Sequence, residues 1–138
     1  MLKLIYSALF ALLFLGCSRG QLSYYEQGDL HTRNFLKHVS DRDKLQDDYY
    51  EVRRNDKGQI TSARHLSSKR QLEEKSSYTY SRKGQLSRHH MVTYFENGPP
   101  RISKEWSYTN GRVVKREEQW FTRSHNLEKK MSIYYDPN

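Results

Sequence analysis

Six histidines and two pairs of adjacent glutamates are the side chains of this sequence that could do chemistry. Clustered histidines bind zinc, and two converging carboxylates can hydrolyse glycosides. Neighbouring residues of a β-strand, however, point to opposite faces of a sheet. If these segments are strands, His89 and His90 therefore diverge, as do Glu73-Glu74 and Glu117-Glu118. We interpret the glutamates as salt-pairing partners of nearby lysines and arginines, and we expect no catalytic residue, metal or cofactor.

Composition limits the kind of protein that the chain can form. Its 138 residues carry 24 Lys+Arg against 16 Asp+Glu, a net charge of +8, and this length suits one domain. Beyond residue 16, Leu, Ile, Val and Phe make up only about 16% of the chain, below the roughly 20% typical of packed proteins. Tyrosine and tryptophan raise that share to about 25%. We therefore expect aromatic packing and no deep catalytic pocket.

The first residues have the pattern of an export signal. Lys3 precedes an almost unbroken apolar run from Leu4 to Leu15, which is too short for a membrane-spanning helix and suits a signal-peptide core. Phe14-Leu15-Gly16-Cys17 resembles the lipobox of bacterial lipoproteins. In that family the cysteine becomes the first mature residue, so the resemblance implies a signal helix over 1–16 and lipidation of Cys17. An ordinary secretory signal and an uncleaved anchor are the alternatives.

The same resemblance predicts where the protein lies. It implies a lipid anchor in the bacterial cell envelope, and Ser18 after the cysteine resembles the outer-membrane class. Several acyl chains hold a protein on a membrane stably. Cys17 is the only cysteine, so no disulfide can form within the chain although the compartment permits disulfides. The fold must therefore be held by packing and hydrogen bonds.

After the signal, a turn followed by an aliphatic residue recurs about every 14 residues, far less than the 34 or so of a helical repeat. This period fits one strand and one tight turn, and short turns join antiparallel neighbours. We predict an all-β, up-and-down antiparallel meander that forms one curved sheet, with a wide open barrel as the alternative. A signal peptide (1–16) and a lipidated tether (17–28) precede a single repeat domain (29–138). The predicted strands are 29–39, 44–54, 59–66, 71–80, 85–95, 101–108, 112–121 and 127–135.

Two details of this prediction concern the loops and the least regular third of the chain. Asn97-Gly98 and Asn110-Gly111 predict type I′ turns, in which both central residues have positive φ. Asp56-Lys57-Gly58 and Arg82-Lys83-Gly84 predict type I turns followed by a glycine bulge. Proline cannot donate to a β-ladder, so both residues of Pro99-Pro100 are placed in a turn. In the first third, 33–48 could contain a short helix instead of strand.

Alternation along each strand predicts which side chains share a face. The predicted strands have a face that is apolar near the strand ends and charged in the middle. In strand 85–95, this face carries Leu86, Val92 and Tyr94 together with Arg88 and His90.

Short tyrosine and glycine motifs carry a second resemblance. The segments Tyr78 to Leu86 and Trp106 to Val113 resemble the repeats of YD/RHS proteins, and Tyr94 to Gly98 is similar to MORN-type repeats. The likeness covers most of residues 49–135. Such families are mostly β scaffolds for display, encapsulation or binding, so the resemblance implies a scaffold and carries over no catalytic residue.

Positive charge interleaved with aromatic residues predicts a binding surface. For an exported lipoprotein, anionic lipids, acidic glycans or an acidic protein fit this charge better than nucleic acid, which we do not expect. We predict a non-enzymatic envelope lipoprotein with a binding or structural role. An immunity or antitoxin-like protein that binds a cognate toxin, an envelope hydrolase, and a basic surface that is merely solvated are the alternatives. The predicted contact residues are Arg82, Lys83, Arg88, Arg112, Lys115, Arg116, Trp106 and Trp120.

Overall fold

The computed structural model describes residues 20–136, so the predicted signal helix and Cys17 lie outside the described residues. The described chain forms one antiparallel sheet of nine strands in the order β2-β1-β3-β4-β5-β6-β7-β8-β9. The all-β meander is confirmed, and the sheet is open, with β2 and β9 at its edges. The strands are β1 (Gln21–Asp29), β2 (Asn34–Val39), β3 (Tyr49–Arg54), β4 (Ile60–Leu66), β5 (Leu72–Tyr80), β6 (Leu86–Tyr94), β7 (Pro100–Thr109), β8 (Arg112–Phe121) and β9 (Leu127–Tyr134).

The N-terminal third differs from the predicted strands 29–39 and 44–54. Most of the segment expected as a tether lies in β1, and a turn over residues 30–33 separates β1 from β2. The Asp29 carboxylate fixes this turn by accepting hydrogen bonds from the backbone N–H groups of His31 (2.7 Å) and Thr32 (3.2 Å). Arg42–Lys44 forms a 3₁₀ helix, so the short helix considered within 33–48 is present.

Five of the loops share one hydrogen-bonded turn. In Ser81–Gln85, the Gly84 N–H donates to the Ser81 carbonyl at 2.9 Å, and the Ser81 N–H donates to the Gln85 carbonyl at 2.8 Å. The predicted glycine bulges are confirmed, because Gly58 and Gly84 have φ of 77° and 79°. In four of the loops, an Asn, Ser or Thr side chain at the first position accepts from the fifth N–H. The five loops are 55–59, 67–71, 81–85, 95–99 and 122–126.

The two Asn-Gly turns have different outcomes. Asn110 and Gly111 have φ of 49° and 77°, which confirms the type I′ turn. At the other site only Asn97 is left-handed, so the type I′ prediction is wrong there. Proline favours an extended conformation in the residue before it, and Pro99 follows Gly98 directly. Pro100 is the first residue of β7 and does not lie in the turn, a strand position that tolerates proline.

Each hairpin from β3 to β9 contains a register shift near the start of its second strand. In β6 the extra residue is Ser87, whose Oγ donates to the Thr79 carbonyl at 3.0 Å. A bulge inverts the alternation of faces beyond it. Leu86 therefore packs with the core, but so does His89, while Arg88 is exposed. The face predicted for strand 85–95 is thus wrong at Leu86, which the bulge separates from Arg88, His90, Val92 and Tyr94.

The core lies where the β1–β2 hairpin folds over one face of the sheet, named here the inner face. Leu30 at the hairpin tip packs against Val52, Ala63 and Tyr78, and the Tyr78 hydroxyl donates to the Leu30 carbonyl. The tip ends over Trp106 of β7, whose ring centroid is 4.9 Å from that of His31. Strands β1–β6 are therefore named the covered half, and β7–β9 the open half.

Candidate functional site: the basic edge

Three loops at one end of the sheet bring cations together. Antiparallel strands place alternate loops at the same end, so loops 55–59 and 81–85 share an end with the turn at 110–111. Three of the eight predicted contact residues lie here, and Lys57 joins them. The exposed cations of these loops, named the basic edge, are Lys57, Arg82, Lys83 and Arg112.

Most of the charge at the basic edge is not compensated. Within residues 20–136, Lys57, Arg82 and Lys83 take part in no ion pair. Asp56 is the single acidic residue in the sequence of these three loops. The turn hydrogen bonds fix the backbone that carries the cations, while their side chains extend into solvent. The edge can therefore attract an anion at little conformational cost to the backbone.

Two shallow grooves separate the three loops. The groove between loop 81–85 and the 110–111 turn has a volume of about 380 Å³ and is lined by Arg82, Lys83 and Tyr108, among others. The groove between loops 55–59 and 81–85 has a volume of about 420 Å³ and includes Lys57. Gln59 joins the two loops, because its Nε2 donates to the Gly84 carbonyl at 3.2 Å. Polar turn residues line much of both grooves, which suits a small anionic group.

Two other predicted contact residues, Arg88 and Lys115, lie on the outer face. Both are opposite Ser107 in register. Each has an acidic neighbour: Arg88 Nε is 3.6 Å from Glu105 Oε1, and Lys115 Nζ is 3.1 Å from Glu117 Oε1. The hydrogen bond between Lys115 and Glu117 raises the pKa of the lysine and lowers the pKa of the glutamate. These charges are compensated locally, in contrast to those of the basic edge.

The remaining three contact residues lie on the inner face. Trp106 is only 8% exposed, so it packs within the sheet and offers little contact surface. Arg116 Nε lies 3.2 Å from Glu118 Oε1, and Trp120 Nε1 donates to Glu118 Oε2 at 3.3 Å. Lys129 covers the Trp120 ring, with Nζ 4.5 Å from its centroid. The structure therefore divides the eight predicted residues among three surfaces and gathers only Arg82, Lys83 and Arg112.

A fully buried imidazole lies on the inner face at the border of the covered half. The His89 ring stacks between Tyr78 (centroids 4.7 Å apart) and Trp106 (4.8 Å), and its Nε2 is 3.0 Å from Ser76 Oγ. Its Nδ1 has no hydrogen-bond partner among residues 20–136. Burial lowers the pKa of His89 to about 4, so the ring is neutral at neutral pH. Since no surface of the ring is exposed, it stabilises the stack and is not accessible to a substrate.

A second histidine meets two carboxylates at the opposite end of the sheet. His65 Nδ1 lies 3.3 Å from Glu73 Oε2, and its Nε2 lies 3.9 Å from Asp48 Oδ2. One potential ligand atom from each residue falls within 4.8 Å of the others. The sequence does not predict this cluster, because Glu73 is the extra residue of a bulge and Asp48 comes from an irregular loop. The carboxylates flank different ring nitrogens, an arrangement that fits separate polar contacts with the ring better than a shared metal.

Comparisons with known proteins assign no relatives. No family model, no curated protein and no solved structure matches the chain. Among the residues that the structure describes, no helix has the length and apolar character needed to cross a membrane.

Proposed function

We propose that the protein is a non-enzymatic bacterial envelope lipoprotein, anchored through lipid on Cys17, that binds an anionic envelope component at its basic edge. The observation that carries this proposal is the uncompensated charge of Lys57, Arg82 and Lys83 on rigid turns. Electrostatic binding of this kind requires neither a deep pocket nor a catalytic group. Anionic lipid headgroups and acidic glycans share the required chemistry.

The sheet is well suited to hold these charges apart at fixed intervals. Loops that follow one another along the basic edge are two strands apart, about 10 Å at the usual strand spacing. Loops 55–59 and 81–85 have the same hydrogen-bonding pattern, so Lys57 and Lys83 occupy the same third turn position, and loop 81–85 adds Arg82 at the second. A row of positive groups at this spacing can contact several phosphates or carboxylates of one surface at once.

The anchor is tested by substitution of the lipidated residue. We expect Cys17→Ser to abolish processing and lipid attachment, so that the protein leaves the detergent-extracted lipoprotein fraction. Globomycin, which blocks lipoprotein signal cleavage, should cause the unaltered protein to accumulate as precursor. A Cys17→Ser protein that is processed and fractionates as the unaltered protein does would contradict the anchor.

Ligand binding is tested with the lipid-free chain that starts at Ser18. We expect this chain to sediment with vesicles of phosphatidylethanolamine and phosphatidylglycerol, or to be retained by an acidic polysaccharide, and to be released as salt is raised. Phosphatidylcholine vesicles serve as the neutral control. Binding that is absent, or that does not respond to salt, would refute the proposed function.

A further inference from the structure

The chain enters the sheet at the same end that carries the basic edge. Gln21, the first residue of β1, pairs with Arg54, the last residue of β3 before loop 55–59. The chain passes close to β3 here, because a Cβ on Gly20 would lie 2.6 Å from the Arg54 carbonyl oxygen. The segment that leads back to Cys17 therefore leaves the sheet beside loop 55–59.

The distance from this entry point to the lipidated residue is short. Cys17 precedes Gly20 by three residues, and a fully extended chain covers at most about 3.6 Å per residue. If Cys17 carries lipid, as under the proposed function on which this inference rests, the acyl chains begin within roughly 11 Å of Gly20. The loops at the far end are much more distant, since the 10 residues of β7 span about 33 Å.

We propose that the sheet stands edge-on to its own membrane, with the basic edge against anionic phospholipid headgroups and the opposite loops pointing away. The short tether brings the three basic-edge loops to the headgroup layer. Their charge is complementary to that layer, and a basic surface beside a lipid anchor strengthens membrane attachment. The partner of the basic edge is thus the membrane surface itself and not a free glycan.

The opposite loops provide the contrast that this orientation requires. Arg70 Nη2 lies 3.3 Å from Asp43 Oδ1. Arg123 Nη1 donates to the Glu96 carbonyl at 3.3 Å, and its guanidinium lies 5.2 Å from the Phe95 ring centroid. These two guanidinium groups are engaged within the protein. The opposite segments 40–48, 67–71, 95–99 and 122–126 carry five Lys+Arg against five Asp+Glu, whereas the basic edge carries four cations and its loops one acidic residue. Net positive charge is therefore concentrated at the end beside the chain entry.

Orientation is measured on the full lipidated chain in vesicles of phosphatidylethanolamine and phosphatidylglycerol. Because Cys17 is the only cysteine and its thiol carries the lipid, an introduced cysteine is the one free thiol. Thr109→Cys places a fluorophore at the basic edge, and Ser124→Cys places it in an opposite loop; both positions are exposed. With a quencher on the lipid headgroups, we expect strong quenching at 109 and several-fold weaker quenching at 124. Equal quenching, or stronger quenching at 124, would overturn the orientation.

A charge variant identifies the contact. In the Thr109→Cys background, Lys57→Gln, Arg82→Gln and Lys83→Gln together should reduce quenching at least two-fold. The matched control, Lys69→Gln, Lys75→Gln and Lys130→Gln, removes the same charge from exposed positions elsewhere and should leave quenching unchanged. Equal effects of the two triple variants, or undiminished quenching in phosphatidylcholine vesicles, would overturn docking of the edge on anionic headgroups.

Failure of the orientation and failure of the proposed function give different results. If the lipid-free chain binds acidic polysaccharide with salt dependence but the two labels are quenched equally, the proposed function stands and the edge-on orientation is refuted. If Cys17 acquires no lipid, or the lipid-free chain binds neither anionic vesicles nor acidic polysaccharide, the proposed function itself fails.

Discussion

The covered and open halves of this sheet achieve burial with different side chains. In the covered half, Val52, Ala63 and Ser76 have no exposed surface because the hairpin tip supplies a second layer over them. In the open half, within β7–β9, only Trp106 and Glu118 are buried. A thin sheet with few aliphatic residues thus obtains a core where the chain folds back over it. Beyond the reach of the hairpin, charged and aromatic side chains must cover the inner face themselves.

Glu118 illustrates what replaces an apolar core in the open half. The residue is only 4% exposed, and Lys104 Nζ and Arg116 Nε lie 3.6 Å and 3.2 Å from its Oε1. The long stems of these cations cover neighbouring surface while their charges approach the carboxylate. The open half therefore depends on ion pairs, which are weaker than close packing when their partners are partly exposed.

Removing one aromatic side chain from each half should give the largest difference in stability between the halves. Tyr78→Ala removes a buried ring from the covered half and should lower the free energy of unfolding by about 3–5 kcal/mol. Trp120→Ala removes a half-buried ring held by Lys129 in the open half and should cost about 1–2 kcal/mol. Urea unfolding of both variants tests this. Tyr78→Phe removes only the hydroxyl and should lower the free energy of unfolding by about 1 kcal/mol, so it separates the hydrogen bond from the packing of the ring. Equal costs for the two ring deletions would remove the distinction between the halves.

Acid should destabilise the protein through His89. Its folded-state pKa of about 4 lies below the unfolded value of 6.5, so between these pH values the unfolded chain binds the extra proton. The His89 contribution is therefore complete above pH 6.5 and is lost as pH falls toward 4, by about 3 kcal/mol in total. Denaturant titrations at several pH values check this. His89→Phe should flatten the profile in this window; an unchanged profile in His89→Phe would contradict the assignment.

Neutralisation of Glu118 tests the ion pairs of the open half. Glu118→Gln keeps the shape of the side chain but leaves Lys104 and Arg116 without their carboxylate, so we expect a loss of about 1–2 kcal/mol in unfolding free energy. The exposed Glu128→Gln serves as the control and should change stability by less than about 0.5 kcal/mol. If the two substitutions have the same effect, the buried carboxylate does not stabilise this half.

Both halves contain the same five-residue turn, and substitutions in it should have the smallest effects on stability. Gly58→Ala introduces a Cβ that meets no atom within 4 Å, so only the strain at φ 77° should appear, at about 1 kcal/mol. His125 occupies the equivalent left-handed position at φ 64° in the open half. His125→Gly relieves that strain but removes the stack with Phe121, so we expect a change within about 0.5 kcal/mol. Thermal unfolding of both variants measures these effects. Gly58→Ala should lower the melting temperature, whereas His125→Gly should leave it nearly unchanged, and an equal loss in both variants would contradict the prediction.

The sequence predicts most of the fold because the turns are local. Hydrogen bonds within five residues define loops such as 81–85, so their spacing predicts the bounds of β4–β9 to within one residue. The first hairpin is not predicted because its tip is stabilised by distant contacts, such as that of Leu30 with Tyr78. Its start in β1 is likewise set by pairing with β3, since Gln21 pairs with Arg54.

The candidate site is predicted only where it depends on turns. Arg82 and Lys83 fall on a turn and Arg112 directly follows one, so the sequence alone places them at one end of the sheet. Alternation groups Arg88 with Leu86, a grouping that the bulge at Ser87 breaks, and a bulge leaves no clear signal in a single sequence. The same bulges explain why buried His89 and Glu118 could not be distinguished from their exposed neighbours.

Native-state hydrogen exchange, resolved by strand, tests the role of the hairpin most directly. Strands β4 and β5 of the covered half and β8 of the open half are all paired with a neighbour on both sides. Their positions in the sheet therefore give no reason for their amides to differ in protection. We predict that amides of Ala63 and Ser76 exchange only through global unfolding, and that amides around Glu118 exchange through a local opening at lower free energy. Equal protection of β4, β5 and β8 would contradict the claim that the folded-back hairpin creates the core of this sheet.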